Sequence, residues 1–431
     1  MQATISDIMA REILDSRGNP TVEAEIVLST GLRARAAVPS GASTGTGEAA
    51  ERRDGDNERF GGKGVRAAVT NVTDVLGPAL RGMSPLDQAA VDEAMIALDA
   101  SPNKANLGAN ALLAVSLACA RAAAAAHDLP LYRYLGGPGA RRLPVPLMNV
   151  MNGGLHAHWQ GPDFQEYMLV PYGAQSFRQA LQWGSEVYHA LQALLVTKGM
   201  SVSVGDEGGF VSDVRSNREP LDLIVEAITR AGRVPGRDIG VAIDPASTGF
   251  YHDGHYALRT EEREVDGAQM VRIYEELVRD YPLCLLEDGL AEDDWPGWQD
   301  LTQALGQAVE LVGDDILCTN PETIRRAVAD GVGNAALIKP NQIGTLTETI
   351  EATRAALTHG WGAMVSHRSG ETVDSFIADL TVALDTGHLK SGAPARGERV
   401  EKYNQLLRIE EDLGGAARFA GRDAFCRPVR F

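Results

Sequence analysis

GVAID (Gly240–Asp244), LCLLE (Leu283–Glu287), ELVGDD (Glu310–Asp315) and AALIK (Ala335–Lys339) follow one another along the chain, each short and apolar and each ending in a charged residue. The intervals between them are long enough for a helix with its loops. Short apolar runs alternating with helical stretches are the pattern of βα units around a parallel sheet. Working outward adds VPLMNV (Val145–Val150), YMLV (Tyr167–Val170), AMVS (Ala363–Ser366) and HLK (His388–Lys390). Eight runs predict a closed parallel barrel. Asp244, Glu287, Asp314, Lys339 and Lys390 then fall at the C-terminal strand ends, the face on which barrel active sites are built.

Three carboxylates converging on one mouth repel one another unless a cation lies between them. A hard divalent ion, Mg²⁺ by preference, takes such oxygen ligands and keeps positions open for water or substrate. Each acid alone reads as well as a helix cap or ion-pair partner; three together with two lysines point to a metal site. GDEGGF (Gly205–Phe210) sets two acids among glycines, which suits either a surface turn or a close approach to a ligand. SHRSGE (Ser366–Glu371) places His367, Arg368 and Ser369 directly after a strand, and an arginine fork suits a phosphate. The pair of histidines in HAH (His156–His158) lacks a third ligand nearby and reads as loop.

The first third differs. TVEAEIVL (Thr21–Leu28) and GLRARAAV (Gly31–Val38) alternate apolar and polar residues around Ser29 and Thr30, which predicts a hairpin. PSGASTGTGE (Pro39–Glu48) reads as a flexible loop, and helical patterns follow near Val65–Leu80, Ser84–Leu98 and Leu107–Ala126. An α+β domain over 1–135, ahead of a barrel over 136–431, accounts for the 431 residues. The net charge of −18 argues against broad nucleic-acid binding. Ala109–Ala126 is the most apolar stretch, but Asn110 and Arg121 interrupt it, so a buried helix is expected and no membrane span. Four cysteines without C-x-x-C spacing, and an N-terminus without a basic stretch before an apolar run, fit a reducing, cytoplasmic setting.

Over nearly its whole length the sequence resembles enolase. The likeness runs through REILDSRGNPTVE (Arg11–Glu23), VPSGASTG (Val38–Gly45), LGANALLAVSLA (Leu107–Ala118), MNGG (Met151–Gly154), GDEGGF, AIDPAS (Ala242–Ser247), LLEDGLAEDDW (Leu285–Trp295), VGDD (Val312–Asp315), IKPNQIGTLTET (Ile338–Thr349), SHRSGET (Ser366–Thr372) and KSGAPARGERVEKYNQLLRIEE (Lys390–Glu411). The resemblance implies an N-terminal α+β domain capping an eight-stranded α/β barrel. It implies reversible dehydration of 2-phosphoglycerate to phosphoenolpyruvate with two Mg²⁺ ions per site, in a homodimer or homo-octamer. By motif, Asp244, Glu287 and Asp314 match the tight metal ligands, with Asp315 competing for the third place, and Ser43 matches the second-metal position. Lys339 matches the base, which must be neutral and is expected to have its pKa lowered by nearby cations. Glu207 matches the general acid, kept protonated by the charge of Glu166. Arg368 and Ser369 match the phosphate contacts, Lys390 the substrate-carboxylate contact, and His156, Gln165, Glu166 and His367 the rest of the pocket. A lysine or histidine base with one or two Mg²⁺ ions is the arrangement known for this superfamily.

The sequence departs from the enolase pattern in loops expected to touch substrate. AHWQGPDF (Ala157–Phe164) is one residue longer than the usual stretch, and Trp159, Gly161 and Pro162 are foreign to it. Val211-Ser212 replaces Ala-Pro, Val373 replaces Glu, and Gly249 replaces another Glu. These departures leave two substrate readings: 2-phosphoglycerate, or a related phospho- or phosphono-acid, as in carboxyphosphonoenolpyruvate synthase of phosphinate biosynthesis. A third reading, a non-catalytic binding or surface-moonlighting protein, runs against the intact Glu207 and Lys339.

Overall fold

The computed structural model describes residues 3–42 and 44–428. The predicted hairpin is present, as β2 (Pro20–Leu28) and β3 (Arg33–Ala37), paired antiparallel from Glu23↔Ala37 to Val27↔Arg33. A strand the sequence reading passed over, β1 (Ile5–Leu14), pairs antiparallel with β2. Its faces are mostly half-buried, so Ser6, Asp7, Arg11 and Glu12 blur the two-residue period on which a strand is recognised. Ala109–Ala126 is long and apolar enough to cross a membrane, but 83% of it is buried, packed on β2 and β3.

Eight strands close the barrel: β4 (Val145–Asn152), β5 (Glu166–Val170), β6 (Gly240–Asp244), β7 (Leu283–Glu287), β8 (Glu310–Gly313), β9 (Ala335–Ile338), β10 (Gly362–Ser366) and β11 (Gly387–Lys390). They neighbour one another in sequence order, and β11 pairs with β4 through Lys390↔Leu147. All eight predicted runs are therefore barrel strands. The expected all-parallel arrangement is not met: β5 is antiparallel to both β4 and β6. Parallel neighbours need a crossover, usually a helix. Between β4 and β5 lies only one 3₁₀ turn, Gly154–Ala157, so the chain doubles back.

Inside the barrel Val145, Leu147, Met168, Val170, Leu285, Val312, Leu337 and Met364 pack into a closed apolar plug. The N-terminal domain is fastened beside the mouth by a two-way backbone bridge. Ser40 N–H donates to Gly370 O at 2.7 Å, and Gly370 N–H to Ser40 O at 2.9 Å.

Candidate active site

The reversal of β5 decides what the mouth contains. Glu166 is the first residue of its strand and stands beside Asn152 and Asp244, the last residues of β4 and β6. In a parallel β5 it would have been at the barrel floor. Asp244, Glu287 and Lys390 end their strands, while Asp314 and Lys339 lie one residue beyond β8 and β9.

One pocket opens there. It is lined by His156, Gln165, Glu166, Glu207, Asp244, Asp314, Lys339, His367, Arg368, Ser369 and Lys390. Glu287 reaches it through Lys390, whose Nζ donates to both Glu287 carboxylate oxygens at 2.8 Å. Ser43 lies outside the described residues. Every other predicted site residue is thus brought to one place. His158, by contrast, is exposed on a neighbouring cleft.

Lys390 Nζ also lies 3.0 Å from Asp244 Oδ2 and 3.1 Å from Glu166 Oε1. One ammonium is held among three carboxylates, and Glu166 Oε2 is a buried oxygen with no partner. Such an all-oxygen set, already gathered around a positive charge, fits a hard divalent cation. Lys339 Nζ pairs with Asp314 Oδ2, and Gln342 Nε2 donates to Asp314 Oδ1 at 2.8 Å. Carboxylate oxygens of Asp288, Asp314 and Asp315 fall within 4.8 Å of one another. Asp288 accepts the N–H groups of Asp314 (2.8 Å) and Asp315 (3.0 Å), so it shapes that turn.

Buried charge shifts these groups strongly. Burial and the adjacent Asp244 push Glu287 well up despite Lys390. Burial would also raise Asp314, but Lys339 and Arg368 hold it low. Burial and the Asp314 charge push Asp315 up to about 8. Lys339 feels two opposed effects. Burial pulls it down, yet the facing Asp314 more than offsets this and leaves it raised.

The second acid pair differs from expectation. His156, Glu166 and Glu207 bring their ligating atoms within 4.8 Å of one another. Burial and Glu207 push Glu166 well up. Burial alone would raise Glu207 too, but His367 and His156 keep it well below the usual range. The polar surroundings explain the asymmetry. Arg399, which can only donate, lies 2.7 Å from His367 Nδ1, so the ring proton sits on Nε2, 3.3 Å from Glu207 Oε2. Asn149 Nδ2 donates to Glu207 at 3.1 Å, whereas Glu166 Oε2 has nothing. Burial pushes His367 down to about 3, against the pull of Glu207.

Sequence reading missed Glu48, Gln342, Asn149, Asp288 and Arg399. Glu48 closes on Arg368 at 2.9 Å and accepts from Gln342 Nε2 at 3.2 Å. Its one signal was an acid at the end of the glycine-rich loop. The loops that depart from the enolase pattern reach the pocket through His156 and Gln165 rather than through the departing residues themselves. Among the described residues Trp159, Gly161, Pro162, Val211 and Val373 do not line the pocket, and Val373 is 71% exposed.

Residues 5–135 match the model for the enolase N-terminal domain, and residues 140–427 match that for the enolase C-terminal TIM barrel domain. The chain is 60% identical over 427 residues to Enolase 2 of Pseudomonas syringae pv. syringae, covering 99% of this chain and 100% of that protein. It is 60% identical over 425 residues to Enolase 2 of Methanospirillum hungatei, covering 99% of each. It is 58% identical over 425 residues to Enolase of Acidothermus cellulolyticus, covering 99% of this chain and 98% of the other. With both domains matched in order, and the acids and lysines gathered where a barrel does its chemistry, the chain belongs to the enolase family.

Proposed function

We propose that this protein is a Mg²⁺-dependent hydro-lyase that interconverts 2-phosphoglycerate and phosphoenolpyruvate. The observation that carries the reading is the placement of Lys339 opposite Glu166. In the ring of eight strands, β9 stands four places from β5, so Lys339 and the Glu166–Glu207 pair enter the pocket from opposite sides. A base on one side and an acid on the other suit removal of a proton from C2 and departure of hydroxide from C3 across a substrate held between them.

Arg368 and Ser369 hold the phosphate, Lys390 the carboxylate, and Gln165, His156 and His367 line the rest. Lys339 takes the C2 proton, and the electron pair forms the C2–C3 double bond as the C3–O bond breaks. Glu207 delivers a proton to the leaving hydroxide, with Glu166 as the other half of a carboxyl pair that shares one proton. Burial and the Glu207 charge raise Glu166, which favours it as the holder of the shared proton. The reverse direction runs the same transfers backward. We assign two Mg²⁺ ions to the site, one held by Asp244, Glu287 and Asp314, the other at Ser43. Bound there, the ions would supply positive charge beside the substrate carboxylate, and an Asp314 engaged as a metal ligand would hold the Lys339 proton less tightly.

The whole-length likeness to enolases, and departures that avoid the pocket, favour 2-phosphoglycerate over a phosphono-acid. We place the domain boundary at Leu135/Gly136, and the enzyme in the cytoplasm as a homo-oligomer, a setting that four free cysteines suit. The test is the rise in ultraviolet absorbance as phosphoenolpyruvate forms from 2-phosphoglycerate. Mg²⁺-dependent turnover is expected, and binding without turnover would overturn the reading.

A further inference from the structure

The positions where this sequence departs from the enolase pattern are scattered along the chain, yet most of them meet at one place in space. Trp159 stands in the loop between β4 and β5, and its indole lies against Gly249. A Cβ placed on Gly249 would sit 3.4 Å from Trp159 Cη2 and 3.6 Å from Cζ2. That is ordinary contact distance for the Cβ itself, so a longer side chain has to turn away from the ring or displace it. On the ring itself lies the Arg259 guanidinium, 4.5 Å from the centroid. Gly161 completes the group. Its φ of +113° needs glycine, and a Cβ there would come within 3.0 Å of Ser212 O.

The same loop is tied at two further points to the chain around Arg259. Thr260 Oγ1 donates to Gly161 O at 3.1 Å. Asp163 accepts the backbone N–H of Arg259 at 3.0 Å and that of Thr260 at 3.2 Å. Buried Asn217 then clasps Asp163, donating to its carboxylate at 2.9 Å and accepting its N–H at 2.7 Å. The loop so fastened carries His156 near one end and Gln165 at the other, and both line the pocket. Trp159 itself has φ +59°, and His158 before it +51°. Two successive left-handed residues that are not glycine need their surroundings to hold them.

We propose that Trp159 is a positioning residue: seated on Gly249 beneath Arg259, it latches the β4–β5 loop and keeps His156 and Gln165 in place before substrate arrives. Gly249 is its seat, a position where a longer side chain and this indole compete for the same space. The proposal rests on the assigned reaction only for its kinetic readout.

The experiment compares Trp159→Ala, Trp159→Phe, Gly249→Leu and the Trp159→Ala/Gly249→Leu double variant. Hydrogen exchange of the loop amides, measured without substrate, is the readout that does not depend on activity. Trp159→Ala and Gly249→Leu should each speed exchange across 157–165 by about tenfold or more, and Trp159→Phe should restore most of the protection. In the double variant Gly249→Leu should add nothing. With 2-phosphoglycerate, Trp159→Ala should raise KM about tenfold with kcat within about twofold, since substrate must then order the loop itself. The proposal is overturned by unchanged loop exchange in Trp159→Ala, or by equal effects of Gly249→Leu with and without Trp159. Faster exchange in a protein inactive on 2-phosphoglycerate would leave the latch standing and sink the assigned reaction instead.

Discussion

The mouth and the floor of the barrel both bury charge, and comparing them separates a site from a structural feature. At the floor Glu310 faces His388 at 3.5 Å, and the Cys426 N–H donates to Glu310 at 2.5 Å. The Phe425 ring stands edge-on to His388 at 4.7 Å and closes the end. At the mouth Glu166, Glu207, Asp244, Glu287 and Asp314 face Lys339, Lys390 and Arg368 around an open pocket. Unpartnered buried atoms occur in both places: Glu166 Oε2 above, both His388 ring nitrogens below. An orphaned polar atom is therefore poor evidence of function by itself. What distinguishes the mouth is surplus negative charge with access to a ligand.

The comparison breaks hardest at Lys339. Lys339→Ala should lower kcat by roughly 10³-fold or more and abolish exchange of the C2 proton with solvent. His388→Leu should leave kcat within about twofold of the parent. Should Lys339→Ala keep more than about a tenth of the activity or exchange normally, the base lies elsewhere.

Metal addition comes next. Mg²⁺ at about 100 times its dissociation constant should stabilise the folded protein by ~2.7 kcal/mol, visible as a rise in Tm by calorimetry. Glu287→Gln should remove most of that gain, whereas Glu310→Gln should keep it. An equal Mg²⁺ response in both variants would mean that the mouth carboxylates do not hold the ion.

Much of this contrast was legible in the sequence, because apolar runs ending in charge report both a strand and its polar end. Lys339 and Asp314 could be placed at the mouth from that pattern alone. The direction of β5 could not, since apolar content says nothing of which way a strand runs. The interval from Asn152 to Glu166 is long enough for a short crossover, but Gly153, Gly154, Gly161 and Pro162 break any helix in it, and that composition carried the information. Glu48 was invisible for another reason: its partner Arg368 lies 320 residues away. The contact of Trp159 with Gly249 likewise spans segments that share no local pattern. Proton placement is not legible either, because it depends on which carboxylate receives donors, and Asn149 reaches Glu207 rather than Glu166 only after folding.

The smallest effect concerns the floor, and its sign can be worked out. Burial pushes His388 below the usual histidine range, against the pull of Glu310. The folded protein therefore resists protonating a ring that the unfolded chain protonates near pH 6.5. Below that pH the unfolded state binds more protons, so stability falls as pH falls, by up to about 1.4 kcal/mol per pH unit for this one group. Above pH 6.5 the ring is neutral in both states and contributes no slope. His388→Leu keeps the apolar contact with Phe425 and removes the titration. Urea unfolding at pH 7.5 and at pH 5.5 should then show the variant losing about 1 kcal/mol less than the parent on acidification. An identical loss in both would place the acid sensitivity at the mouth, in His156 and His367, and leave the floor electrically silent.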